Sequence, residues 1–474
     1  MRRRHTDRRR GCTDRGAAGA TTHCADRRDQ QTARGFNGRV NAHRLNQRLD
    51  NTDTVRIRGK VNQVVGLVIE SDGPPVSVGE LCTITNAASG PPVLAEVVGF
   101  KQSRVLLMPL GPMEGIAPGS KVTAHDKAFR VSIGKNLLGR VLNGLGEPID
   151  GKGPIWSTDK RSVIAPPPDP LGRQRITEPL GTGIRAIDSL VTCGKGQRAG
   201  IFAGSGVGKS VLLGMLARNA DADINVIALI GERGREVRDF IERDLGPEGL
   251  DRSVIIVATS DQPALVRIKG AQVATAIAEY FRDEGKNVML MMDSVTRVAM
   301  AQREVGLAIG EPPTTRGYTP STFAMLPRLL ERAGMGETGS ITGLYTVLVE
   351  GDDMDEPVAD TVRSILDGHI VLSRRLQSQG HYPAIDVLES VSRVMVDVVS
   401  DAHFKTSNRI KEILVNYREA EDLINVGAYQ EGSNSEIDYA IRYVADINGF
   451  LRQDIDENTP FQKTFEQMVG LLAE

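Results

Sequence analysis

The chain has 474 residues, more than one ordinary core accommodates, so two or three domains are expected. Apolar residues make up 40% and charged residues 25%, as in soluble globular proteins. No apolar run nears the roughly 18 residues that cross a bilayer, and no apolar segment follows the basic start; both argue against a membrane span and a secretory leader, and for a cytoplasmic protein.

Net charge is −2 but uneven: residues 1–50 hold thirteen Arg and five Asp with no Lys or Glu, a local +8 that leaves the remainder near −10. A basic arm suits nucleic acid or an acidic membrane surface. This one has few apolar residues and no aromatic before Phe36, so it builds neither a core nor a stacking platform. Residues 1–53 are read as a disordered Arg-rich tail. Cys12, Cys24, Cys82 and Cys193 are widely spaced. Cys12 and Cys24 with His5 and His23 lack the CxxC pair that anchors a zinc site, so reduced structural thiols are expected.

Over residues 54–123, TVRIRGKV, LVIES, LCTITN, VLAEVVGF and RVLLMPL are short, β-branched and separated by turn residues. They predict a small closed β-barrel, which leaves no free edges. Residues 124–180 are rich in Gly and Pro, notably GRVLNGLGEPIDGKGP and APPPDPLGR, and read as a linker wrapping between domains. Residues 181–380 alternate apolar strands with helical patterns. QRAGIFA, INVIALI, SVIIVAT, NVMLMM, ITGLYTVLV and HIVLS predict a buried, mostly parallel sheet. Residues 381–474 are helical, with 3.6-type spacing in RIKEILVNYREAEDLINVG and SEIDYAIRYVADINGFLRQ.

AGSGVGKS, residues 203–210, follows an apolar strand and precedes a helical pattern. In a GxxxxGK(S/T) loop, backbone N–H groups cradle phosphates, the lysine reaches the β- and γ-phosphates, and the hydroxyl ligates Mg2+. Gly204, Ser205, Gly206, Val207, Gly208, Lys209 and Ser210 form this cradle. Ala203 takes the first place, at the strand end, where a small residue with negative φ suffices. Phosphoryl transfer to water also needs a carboxylate for the metal and an oriented water. Asp293 ends the strand NVMLMM and suits the first need, or else caps the helix that DSVTR begins. Glu232 follows the strand INVIALI at the sheet's carboxyl edge, where open α/β sheets bind ligands. It fits either a water-polarising base or a surface charge cluster. Tyr382, in HYPAID, fits either adenine stacking or core packing. An arginine is expected at the transferring phosphoryl group, but the residues alone single out none.

GIFAGSGVGKSVLL, ALIGERGREVRDFIE, MMDSVTRVAMAQREVGLAIGEPPTTRGYTPSTFAMLPRLLERAG, DGHIVLSRRL and HYPAIDVLESVSRVM resemble the rotary-ATPase catalytic family across residues 54–474. Within it, REAEDLINVGAYQEGSNSEIDYAI and GLYTVLVEGDDMDEPVADT resemble the ATPases of type III protein export, and SDAHF leans to the flagellar kind over the injectisome kind. The resemblance implies a multidomain α/β fold: a small N-terminal β-barrel, a RecA-like P-loop nucleotide-binding α/β domain and a C-terminal helical domain. It implies ATP and Mg2+, with Lys209 and Ser210 on phosphate and metal and Asp293 as the metal carboxylate. Glu232 matches the catalytic glutamate, Arg393 in SVSR the arginine finger offered to a neighbour, and Tyr382 the adenine-packing tyrosine. One chain with both Glu232 and Arg393 serves as its own neighbour, which implies a homohexamer with sites between subunits. The implied partners are regulator and stalk proteins of the export apparatus, export substrates and chaperones, and a peripheral contact at the inner-membrane export gate. The family's N-terminal docking helix is matched only by the weak spacing of Leu45 and Leu49. Two further classes share parts of this pattern: a Rho-like RNA translocase, disfavoured by the missing aromatic platform and the acidic body, and a non-catalytic ATP synthase-like ring subunit, disfavoured by Glu232. No nucleic-acid partner is expected.

Overall fold

A computed structural model describes residues 57–85, 91–349, 351 and 353–472. The expectations placed on residues 1–53, including the Arg-rich tail, Cys12 and Cys24, and Leu45 and Leu49, lie outside the described residues.

Six antiparallel strands form the barrel: β1 (Arg58–Val65), β2 (Val68–Asp72), β3 (Glu80–Thr85), β4 (Val93–Lys101), β5 (Arg104–Pro109) and β6 (Lys121–Ala128). Their order is β1-β2-β5-β4-β3-β6, closed by pairing of β1 with β6. Alternate residues point inward, so Val61, Ile69, Cys82, Ile84, Ala95, Val97, Leu107 and Val122 fill the interior. Gly59 is required by close approach, because a Cβ there would stand 1.9 Å from Gly73 O. The barrel is the expected one. Its sixth strand, KVTAHDKA, is too polar to stand out in the sequence and runs on to Ala128.

The segment after the barrel carries β7 (Arg130–Ser132), paired with β9 (Lys160–Ser162), and between them β8 (Arg140–Asn143). The central strands follow: β10 (Arg198–Ala203), β11 (Ile224–Ile230), β12 (Ser253–Ala258), β13 (Asn287–Asp293), β14 (Gly334–Met335), β15 (Ser340–Leu348), β16 (Gly368–Leu372) and β17 (Ile385–Ser392). They and β8 make a nine-stranded sheet ordered β17-β16-β10-β15-β13-β11-β12-β8, with β14 alongside β15. All six expected strands are present. Part of the Gly-rich stretch read as a linker is also strand: β8 pairs in parallel with β12 as the edge of the sheet. The opposite edge is β17, antiparallel to β16, so the sheet continues past the expected boundary at residue 380.

Both faces of the sheet are covered, which explains the unbroken apolar runs. In β11, Val226, Ala228 and Ile230 enter a core with the helix Ala264–Asp283, while Ile227 and Leu229 enter another with the helix Lys209–Asn219. That second core also takes Ile410, Ile413, Ala440, Ile447 and Phe450 from the C-terminal helices Asp401–Asn425 and Ser435–Leu451. The helical region therefore packs beside the helix that leaves the Gly-rich loop. Among the described residues no helix is long and apolar enough to cross a membrane.

Candidate nucleotide site

β10, β11, β13 and β15 are parallel, so their carboxyl ends share one edge of the sheet. Ala203, the last residue of β10, pairs with Leu348 on one side and Leu372 on the other and is buried. It is ordinary strand and needs no glycine. Gly206 and Gly208 do, with φ of +81° and +96°. The helix Lys209–Asn219 then starts without a side-chain cap, leaving its first N–H groups for an anion.

Lys209, Glu232 and Asp293 converge at this edge. Lys209 Nζ hydrogen-bonds Asp293 Oδ1 and lies 3.5 Å from Glu232 Oε1. Thr346, on β15, donates its hydroxyl to the same Asp293 oxygen at 2.7 Å. Asp293 is the last residue of β13, and the N-cap of the next helix, Val295–Ile309, is Ser294, whose Oγ accepts from Arg297 N–H. Asp293 is thus not the helix cap, the alternative left open for it. Glu232 sits between β11 and the helix Gly234–Asp239, with its side chain mostly buried. Burial pushes its carboxyl up to about 7; the Asp293 charge and a hydrogen bond shared with Glu236 add to the rise, against the pull of Lys209. It is no surface charge. Ser210 follows Lys209 on the helix and is exposed.

Tyr382 is half exposed and lines a cavity of about 280 Å³ beside the same helix, with Val207, Val211, Met215, Leu372 and Ile455. The cavity's apolar walls and their position beside the loop suit a flat heterocycle. Arg393 is not part of this cluster. Ile385 pairs with Leu372 and Ser392 with Gly368, so Arg393 stands at the amino end of β16. That is about 13 Å along the strands from the loop edge. Its backbone N–H bonds Asp367 O, and its side chain is exposed.

The sequence does not reveal Thr346, which reads as one more residue of an apolar strand. Nor does it reveal Gln453, whose amide oxygen accepts from Arg185 N–H while its amide nitrogen donates to Gly183 O and its backbone N–H donates to Tyr382 O. Arg185 donates in turn to Phe450 O, at 2.6 Å. These bonds fix the C-terminal segment that supplies Ile455 to the cavity.

Residues 183–392 match the nucleotide-binding domain of the ATP synthase alpha/beta family, and residues 61–125 match that family's β-barrel domain. Residues 399–470 match the T3SS EscN ATPase C-terminal domain. The flagellum-specific ATP synthase of Bacillus subtilis (strain 168) is 57% identical over 424 residues, covering 89% of this chain and 97% of the relative. The chain belongs to the ATP synthase alpha/beta family, among its flagellar and type III secretion ATPases. The type 3 secretion system ATPase of Xanthomonas euvesicatoria is 51% identical, covering 87% of this chain and 93% of the relative. Among solved structures, the assembled ATPase EscN of enteropathogenic E. coli superposes with a TM-score of 0.83 at 46% identity, covering 88% of this chain and all of EscN. EscN in complex with its central stalk EscO gives 0.81 at the same identity and coverage of this chain.

Proposed function

We propose that this chain is the Mg2+-dependent ATP hydrolase of flagellar type III protein export, acting in a homohexameric ring whose sites lie between neighbours. The observation that carries the reading is the meeting of Lys209, Glu232 and Asp293 at the carboxyl ends of β10, β11 and β13, beside an uncapped helix start and an apolar cavity.

Residues 204–208 cradle the phosphates and Lys209 compensates their charge. Tyr382 packs against adenine. Among the described residues no cluster of His, Cys, Asp or Glu could hold a metal by itself. That fits Mg2+, which is commonly held by one or two carboxylates, waters and substrate phosphates. Ser210 and Asp293 are the residues that would hold it, and it would supply charge neutralisation at the phosphates. Glu232, raised towards neutrality, acts as the base that orients and deprotonates the attacking water. Arg393, too far along the edge strand to serve its own loop, is offered to the γ-phosphate in a neighbour. The ring also explains why an arginine finger and a P-loop occur in one chain.

ATP turnover releases chaperones from export substrates and helps unfold them, with the ring held by regulator and stalk proteins against the export gate at the inner membrane. An injectisome role is the alternative, and the identities to flagellar relatives favour the flagellum. The test is twofold. Mg2+-dependent ATP hydrolysis should disappear in Lys209→Ala, and expression of the chain should restore motility to a strain lacking its flagellar ATPase. Unchanged hydrolysis in Lys209→Ala sinks the site assignment, and rescue of needle secretion without rescue of motility sinks the flagellar assignment.

A further inference from the structure

Gln377 belongs to the short helix Arg374–Ser378, which follows β16 directly. Leu372 of β16 pairs with Ala203 of β10, so the segments leaving these two strands emerge side by side. There Gln377 Nε2 donates a 2.7 Å hydrogen bond to the carbonyl oxygen of Gly206. A trans peptide unit points its C=O and N–H in opposite directions. Holding the Gly206 carbonyl on Gln377 therefore turns the Val207 N–H away from Gln377.

This peptide needs holding. Gly206 has φ +81° and nothing within 4 Å of where a Cβ would be, so neither a side chain nor packing fixes its conformation. The helix that supplies the donor is itself fixed. His381 N–H bonds Leu376 O at 3.0 Å, and Arg375 pairs at 3.1 Å with Glu421 of the long helix Asp401–Asn425.

We propose that Gln377 is a positioning residue of the phosphate loop: by anchoring Gly206 O it presents the Val207 N–H to the phosphates of the bound nucleotide. It touches no phosphate itself and acts through the loop peptide. The proposal rests on the nucleotide reading of the site given above.

The test uses the full chain and measures kcat and KM for ATP together with the inhibition constant of inorganic tripolyphosphate, which has phosphates and no base. Gln377→Ala and Gln377→Glu, which lose the donor, should raise both constants in step by about two- to tenfold, the span of one hydrogen bond. Gln377→Lys keeps a donor of similar reach and should stay within about twofold of the parent chain. Tyr382→Ala provides the contrast, weakening ATP while leaving tripolyphosphate unchanged. Parent-like constants in Gln377→Ala, an equal loss in Gln377→Lys, or a change in ATP without one in tripolyphosphate overturns the proposal. A parent chain lacking Lys209-dependent hydrolysis overturns the nucleotide reading and this proposal with it, whereas parent hydrolysis with unaltered Gln377 variants overturns this proposal alone.

Discussion

Thr346 and Asp293 lie on adjacent strands, and the Thr346 hydroxyl donates a 2.7 Å hydrogen bond to Asp293 Oδ1, the oxygen that Lys209 also holds. The bond fixes the rotation of the carboxylate, leaving Oδ2 free of this pair. A carboxylate with a fixed orientation is a better metal ligand than one that must be ordered on binding. Thr346→Val keeps the shape and removes the hydroxyl. The Mg2+ concentration needed for half-maximal hydrolysis should rise about tenfold or more, with a smaller change at saturating Mg2+. An unchanged Mg2+ titration would show that Asp293 is oriented by other means.

Glu232→Gln keeps the size of the side chain and removes its basicity. Turnover should fall by about two to four orders of magnitude while ATP binding persists. Equilibrium binding of a fluorescent ATP analogue, read beside steady-state hydrolysis, separates the two effects. Loss of binding along with turnover would assign Glu232 to the architecture of the site instead.

The pH dependence follows from the same group. A base works when ionised, and the Glu232 carboxyl is pushed up to about 7, so turnover should climb as pH rises through that value. The acid limb should be absent from the residual activity of Glu232→Gln. Stability runs the opposite way. The folded chain keeps this proton well above the ordinary glutamate range, so the contribution is full below about pH 4 and is lost as pH rises towards 7. Urea titrations of the parent and Glu232→Gln at pH 5 and pH 8 should therefore show a smaller difference between the two pH values in the variant.

A finger offered to a neighbour predicts complementation. Lys209→Ala has a disabled loop and an intact finger, and Arg393→Ala the reverse. Each should be inactive alone. Mixed from unfolded or dissociated chains in equal amounts, about a quarter of the contacts between neighbours join an intact loop to an intact finger, and hydrolysis should return to about that fraction. Mixtures as inactive as their components would place Arg393 outside the site.

Arg332 and Glu279 form a two-pronged ion pair, at 2.7 and 2.9 Å, with both side chains almost wholly buried. Arg332 also holds Val163 O at 2.7 Å, which ties the segment after the barrel to the sheet domain. Arg332→Ala leaves the buried Glu279 carboxylate with only Arg161, whose Nε lies 3.5 Å from Oε2, and should destabilise the chain by about 3 kcal/mol. Replacing both by apolar residues of similar volume should cost much less. Denaturation midpoints check both, and KM for ATP, measured where the variants remain folded, should be unchanged.

The parts legible in the sequence are those where one physical demand sets many residues at once. The six apolar strands announce themselves because helices cover both faces of the sheet. The phosphate loop announces itself because Gly206, Gly208 and Lys209 each answer a separate chemical need. β8 escaped because RVLN is short and half-buried within a Gly-rich stretch, and β17 because IDVLESVS, at an antiparallel edge, alternates with polar residues. Thr346, Gln377 and Gln453 escaped for another reason. Each is an ordinary polar residue whose partner is 53, 171 or 268–270 positions away, and nothing local marks such a pairing. The cap at Ser294 is intermediate: the sequence left Asp293 between cap and metal carboxylate, and the backbone places the cap one residue later, at Ser294.

β17 has Tyr382 just before its start and Arg393 just after its end, so the two lie at opposite ends of this edge strand, Tyr382 by the carboxyl end of β16 and Arg393 by its amino end. With Arg393 serving a neighbour's loop, as proposed, each copy would hold unlike halves of two different catalytic centres and the whole of none. On that reading a newly made chain drifting alone would leave the nucleotide pool untouched. Closing the ring would switch consumption on, and placement of the fuel supply would become a matter of recruitment.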